Sequence, residues 1–191
     1  AAVQLGVRKG LRVIGTAGAE RKRAFVTGQL GAAACFDSHG DWESEVRALV
    51  GRRGVDVALD ALGGPATASC RRLLAPLGRL VFYGMSDAVP GVSRNWARAA
   101  WTWLRTPKIH PLDLVVPSIG VFGIHLLHLL KKEELLRTSL QEIYRGVAAG
   151  EWRPVVDRTF PLTREGAVAA HRYLHARKVI GKVVLEAAGG I

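Results

Sequence analysis

Three glycines mark where a ligand could meet this chain. The apolar run V-D-V-A-L-D at residues 55–60 leads straight into Ala61-Leu62-Gly63-Gly64, and a second run, residues 79–83, ends at Gly84. Glycine at the C-terminal end of a strand lets a ligand approach the backbone, and open α/β sheets bind ligands along that edge. A third run, residues 11–16, ends at Thr16 and passes through small residues and Glu20 to Arg21, Lys22 and Arg23. An acidic side chain at such a tip takes a ribose 2′-hydroxyl, whereas small residues followed by cations suit a 2′-phosphate. The pattern points to a nicotinamide dinucleotide in its phosphorylated form, NADP(H), touched by Thr16, Arg21, Lys22, Gly63, Gly64 and Gly84. The same cations also fit a solvated helix start, and the glycines fit ordinary turns. Glu20 reads as the cap of the helix that follows.

Other chemistries find little footing. His171 and His175 stand one helical turn apart, but no third ligand is placed near them, and His125 and His128 belong to another element. No metal is expected. Cys35 and Cys70 show no ligand spacing and read as buried apolar side chains in a reducing compartment. No serine or cysteine has a nucleophile's context.

The elements that must position these residues alternate. Strands are predicted at 11–16, 33–36, 55–60, 79–83 and 118–125, with helices at 20–29, 42–50 and 65–77 between the first four. That rhythm argues for right-handed βαβ units and a parallel sheet, with residues 55–60 buried on both faces. Residues 86–117, interrupted by Pro90, Pro107, Pro111 and Pro117, read as an insertion with a short helix near 95–104. Residues 133–149 form an amphipathic helix capped by Gly150. A strand at 155–160, a helix from Thr163 to residue 176 and a strand at 182–185 complete the chain.

With 49% hydrophobic residues the 191-residue chain can bury a sizeable core, which excludes a disordered class. No apolar run reaches the roughly 18 residues of a spanning helix, and no signal peptide opens the chain, so it reads as cytoplasmic. The net charge of +11 invites a nucleic-acid partner, yet zinc-finger spacing and an aromatic RNA-binding strand are both missing, so none is expected. One basic stretch is locally organised. From Arg94 to Lys108 it holds Arg94, Arg98, Arg105 and Lys108 with Trp96, Trp101 and Trp103 and no acid. It fits a lid laying its tryptophans over a cleft, or peripheral contact with an anionic membrane.

The motifs V-I-G-T-A-G (13–18), G-V-D-V-A-L-D-A-L-G-G (54–64), L-L-A-P-L-G-R-L-V-F-Y-G-M (73–85) and V-I-G-K-V-V-L (179–185) resemble the C-terminal half of medium-chain dehydrogenase/reductases. Within that family the chain resembles the zinc-free quinone oxidoreductase branch and, through L-G-G…Y-G-M, a Trp-containing insertion and F-G-I-H-L, the vesicle amine transport protein subfamily. The resemblance implies a Rossmann-type, doubly wound α/β fold. It places the dinucleotide-binding domain at residues 1–150 and the return of the substrate domain at 151–191. It also implies that the first strand and its glycine-rich turn lie upstream of Ala1, leaving residues 11–16 and 55–60 without the strand between them and this fragment inactive. A quinone, enone or similar carbonyl is the implied substrate, with a lipid-handling, vesicle-associated protein as the alternative. Phe122 to Ile124 would present backbone to the carboxamide, Lys178 would lie near the cofactor, and the strand at 118–125 would pair two copies into a homodimer. A tyrosine common after the second strand is replaced by Ser38.

Overall fold

Parallel β-ladders joined by helices organise the chain, seen in a computed structural model that describes residues 1–86 and 96–187. Arg94, from the basic stretch, lies outside the described residues. The backbone divides into two compact units, residues 12–133 and residues 1–11 with 134–191.

The first unit holds β1 (Ile14–Ala17), α2 (Glu20–Gly28), β2 (Ala34–Asp37), α3 (Trp42–Val50), β3 (Val55–Asp60), α4 (Pro65–Leu73), β4 (Leu74–Phe82), α5 (Trp96–Arg105), α6 (Leu112–Val115), β5 (Gly120–Gly123) and α7 (Leu126–Leu129). β1 pairs with β2, and β3, β4 and β5 form a separate three-stranded sheet. Among the described residues β1 has no ladder partner besides β2, and β3 none besides β4. The break falls where the intervening strand is expected. Such open edges carry unpaired backbone groups.

Local chemistry accounts for the element ends. Asp41 caps α3 by accepting from Ser44 N at 3.3 Å, and Gly51 ends it at φ 61°. Arg72 on α4 donates to Glu43 on α3 at 2.8 and 2.6 Å, and Arg47 reaches the Arg72 carbonyl at 2.9 Å. Beneath these contacts Leu80, Leu73, Ala75 and Val46 are buried, Leu80 completely. Each large side chain so buried contributes about 1.5–3 kcal/mol.

The structure departs from the sequence reading at three places here. α4 stops at Leu73 instead of reaching residue 77, because Pro76 disfavours helical backbone at the residue before it. The chain enters β4 early: Leu74 pairs with Val55, the register shifts, and Arg79 then pairs with Val57. The extra residues loop out with Leu77 at φ 64° and 82% exposed. Second, β3 is not buried on both faces. Val57 and Leu59 are 50% and 52% exposed, while Ala58 and Asp60 face inward. Alternate residues point to opposite faces, and the face bearing Val57 and Leu59 is left uncovered. Third, Glu20 does not cap α2. Ala19 holds that position without a side-chain bond, and Glu20 lies in the first turn.

The second unit contains α1 (Ala2–Arg8), α8 (Glu133–Ala148), β6 (Val156–Pro161), α9 (Arg164–His175) and β7 (Lys182–Glu186). β6 and β7 pair in parallel across α9, which Thr163 caps by accepting from Gly166 N at 3.1 Å. Gln4 of α1 donates to the Arg153 carbonyl at 2.9 Å and accepts from Arg153 N at 3.2 Å. Arg8 pairs with Glu151 at 3.1 Å. The Trp152 ring lies against Gly146, where a Cβ would come to 3.2 Å.

Candidate cofactor site

Register brings the C-terminal ends of β3, β4 and β5 level. Asp60 pairs with Phe82, and Phe82 with Gly123. Backbone bonds carry the alignment past the strands, from Tyr83 N to Asp60 O at 2.9 Å and from Ile124 N to Phe82 O at 2.9 Å. Gly63 and Gly64 follow β3, Gly84 follows β4, and Phe122 lies on β5, so these four predicted residues share one sheet edge. Gly63 and Gly64 take φ of 78° and 61°, which glycine adopts without a Cβ penalty. A Cβ on Gly84 would stand 3.1 Å from the Ala61 carbonyl oxygen. Phe122 is 63% exposed.

The turn is held by side chains the sequence reading did not single out. Asp60, 2% exposed, accepts from Leu62 N at 2.8 Å and Gly63 N at 3.2 Å through one oxygen. Its other oxygen takes the Thr67 hydroxyl at 2.5 Å. Gly64 N donates to Thr106 Oγ1 at 2.8 Å, and that hydroxyl donates to the Thr102 carbonyl at 2.8 Å. Three successive amides of the turn are therefore engaged within the chain. Gly63 and Gly64 are buried: a Cβ would meet Met85 at the first and Thr102 at the second. Their close neighbours are the chain's own side chains, so the turn is a preformed frame. An acid ending an apolar strand three residues before a glycine is the sequence signal for this Asx-type turn. Thr102 and Thr106 carry no comparable signal.

The seat of α5 turns its tryptophans outward. Thr102, 1% exposed, is the side chain that turns inward. Trp96, Trp101 and Trp103 are 71%, 50% and 65% exposed, with Leu104 at 73% beside them. Arg105 stacks on Trp101 with 5.2 Å between guanidinium carbon and ring centroid. Within this chain the three tryptophans lie on the exposed side of α5.

A second cluster forms at the paired tips of β1 and β2, where Thr16 faces Phe36 and Ala17 faces Asp37. Thr16 and Arg21 are exposed, Lys22 is half-buried, and all three gather where β1 gives way to α2. Arg23 ties the two tips together: it pairs with Asp37 at 3.1 Å and donates to the Ala17 carbonyl at 3.1 Å. His39 donates its amide to Asp37 at 2.9 Å, and its Nδ1 lies 3.2 Å from the same oxygen. The His39 amide and Arg23 hold the Asp37 carboxyl below its usual range. The donor set of Arg21, Lys22 and Thr16 fits a phosphate on an adenine ribose.

Lys178 belongs to the other unit, exposed in the link between α9 and β7. His171 and His175 lie on α9. Among the described residues no group of three or more His, Cys, Asp or Glu is placed to hold a metal ion. Burial, with Asp60 and Glu43 nearby, pushes the Cys70 thiol up to about 12, which suppresses its thiolate. No helix among the described residues is long and apolar enough to cross a membrane.

Comparison with known proteins adds to this geometry. Residues 30–185 match the family described as zinc-binding dehydrogenase. The human synaptic vesicle membrane protein VAT-1 homolog is 32% identical over 187 residues, covering 97% of this chain and 46% of the relative. Quinone oxidoreductase of Sus scrofa is 28% identical over 188 residues, covering 97% of this chain and 50% of the relative. The solved structure of a 2-haloacrylate reductase superposes with a TM-score of 0.75 at 29% identity, covering 96% of this chain and 52% of that one. The chain thus spans about half the length of these relatives.

Proposed function

Since the chain belongs to the zinc-binding dehydrogenase family, within the medium-chain dehydrogenase/reductases, we propose that it is the cofactor-binding part of an NADP(H)-dependent, zinc-independent reductase of quinones, enones or similar carbonyl compounds. The observation that carries the cofactor assignment is the donor set at the β1 tip, where Thr16, Arg21 and Lys22 follow closely in the chain and Asp37 at the neighbouring tip is clasped by Arg23. When bound, the dinucleotide supplies the hydride. The chain's part is to hold it: Arg21 and Lys22 at the 2′-phosphate, and the edge formed by Gly63, Gly64, Gly84 and Phe122 at the nicotinamide end. In this reading residues 1–150 serve the dinucleotide and residues 151–191 the substrate side, with Lys178, between α9 and β7, reaching towards the cofactor. The relatives' quinone and haloacrylate substrates support this acceptor class. Competitive titration should show NADPH binding more tightly than NADH, with the preference reduced by Arg21→Ala combined with Lys22→Ala. Equal affinities for the two cofactors in the parent protein would remove the assignment.

A second reading has its own observation. The outward arc of α5 presents Trp96, Trp101, Trp103 and Leu104 beside Arg105, a pattern suited to the interface of an anionic bilayer. This makes the protein a cytoplasmic one with peripheral membrane contact, whether or not it turns over a substrate. Cosedimentation with phosphatidylserine vesicles, lost on Trp96→Ser with Trp103→Ser, is the expected result. No cosedimentation of the parent protein excludes the contact.

A further inference from the structure

We propose that His39 is a specificity-determining ligand of the cofactor's 2′-phosphate, an inference that rests on the NADP(H) reading above. Register sets it up. Ala17 of β1 lies opposite Asp37 of β2, so both strands end together, and the chain leaves β2 through Ser38, His39 and Gly40. Asp37 then folds this exit back on itself, accepting the His39 amide at 2.9 Å and holding Nδ1 at 3.2 Å. The imidazole is swung across to the neighbouring tip, where it lies directly against Gly18. A Cβ at position 18 would overlap the ring, coming to 2.9 Å from Nδ1 and 3.3 Å from Nε2. A side chain at position 18 would push the imidazole out of this place.

The placement matters because Gly18 sits between Thr16 and the first turn of α2, the stretch that also carries Arg21 and Lys22. Asp37, the carboxylate bonded to the ring, is paired with Arg23 at 3.1 Å, so it opposes a bound anion less than an unpaired acid would. With Nδ1 held on Asp37, Nε2 is the nitrogen left to face a ligand, and the side chain is 79% exposed. The ring thus keeps Nδ1 on Asp37 and turns Nε2 to a phosphate oxygen. A ribose bearing only hydroxyls offers the imidazole a much weaker partner than a charged phosphate does. His39 therefore discriminates between the two dinucleotides, where a residue contacting the shared parts would not.

The test uses probes without nicotinamide, so catalysis is not involved. Binding of adenosine 2′,5′-bisphosphate and of adenosine 5′-monophosphate to the protein is measured by calorimetry for the parent, His39→Ala and Gly18→Ala. His39→Ala should weaken the bisphosphate about tenfold, the worth of one charge-assisted hydrogen bond, and leave the monophosphate within about twofold. Gly18→Ala, which displaces the ring with the imidazole still present, should lower the same ratio. A parent that prefers the bisphosphate while His39→Ala keeps the full preference overturns the role of His39 and leaves the NADP(H) reading standing. A parent with no preference overturns both.

Discussion

Replacing Asp60 by alanine should cost far more than any other single change at the strand edge. The carboxylate is 2% exposed and serves three donors, Leu62 N, Gly63 N and the Thr67 hydroxyl. Truncation strands all three. Gly63 and Thr67 are buried and Leu62 is half-buried, so water can relieve only the last. At about 1–3 kcal/mol for each buried donor left unpaired, the sum is about 4 kcal/mol, a large share of the roughly 5–15 kcal/mol that holds a domain folded. Asparagine is the control. Its oxygen still accepts both amides, and the Thr67 hydroxyl can turn to accept from the new amide, so Asp60→Asn should lose about 1 kcal/mol. Urea unfolding of the parent and both variants reads these differences directly. A double-mutant cycle with Thr67→Val isolates the 2.5 Å contact and should give a coupling of about 1.5–3 kcal/mol. Equal losses in Asp60→Ala and Asp60→Asn, or a loss below about 1 kcal/mol in the first, would refute the claim that this carboxylate holds the turn.

Two further outcomes follow from contacts elsewhere in the same unit. Hydrogen bonds from Arg72 hold the Glu43 carboxyl down to about 2, so its stabilisation is present above its ordinary range near 4.5 and is lost as pH falls towards 2. Arg72 is 54% exposed, which limits the pair to about 1 kcal/mol; Glu43→Gln should lower the urea midpoint at neutral pH, and that difference should shrink in acid. Phe122→Lys on the open edge strand β5, 63% exposed, should shift the intact protein from dimer to monomer in light scattering if two copies pair through that strand; an unchanged dimer mass places the interface elsewhere.

Much of the framework was legible because it depends on local chemistry. Alternating apolar runs and turn glycines located the seven strands of the described residues, and Thr163 and Gly150 marked helix ends from the sequence inward. The misreadings share a cause, which is that periodicity does not report what covers a face. The run at β3 is apolar enough for two buried faces, yet Val57 and Leu59 lie open. Leu74 to Gly78 reads as helix followed by strand, but pairing with Val55 pulls the strand start forward and leaves Leu77 looped out. At the site, residue type pointed to Arg21 and Lys22. Register alone brings His39 onto Gly18, and the inward turn of Thr102 and Thr106 is decided by the seat of α5.

That seat gives the protein a built-in optical gauge. Three of the chain's five tryptophans ride on one helix, and the end of that helix is tied to Gly64 N through a single 2.8 Å hydroxyl bond. Indole emission shifts with solvent exposure and overlaps the absorption of reduced nicotinamide. A cofactor settling at this turn, or a partner covering the exposed rings, would therefore register in the protein's own fluorescence without any added label. Quenching by energy transfer would signal the first, and a blue shift without quenching the second.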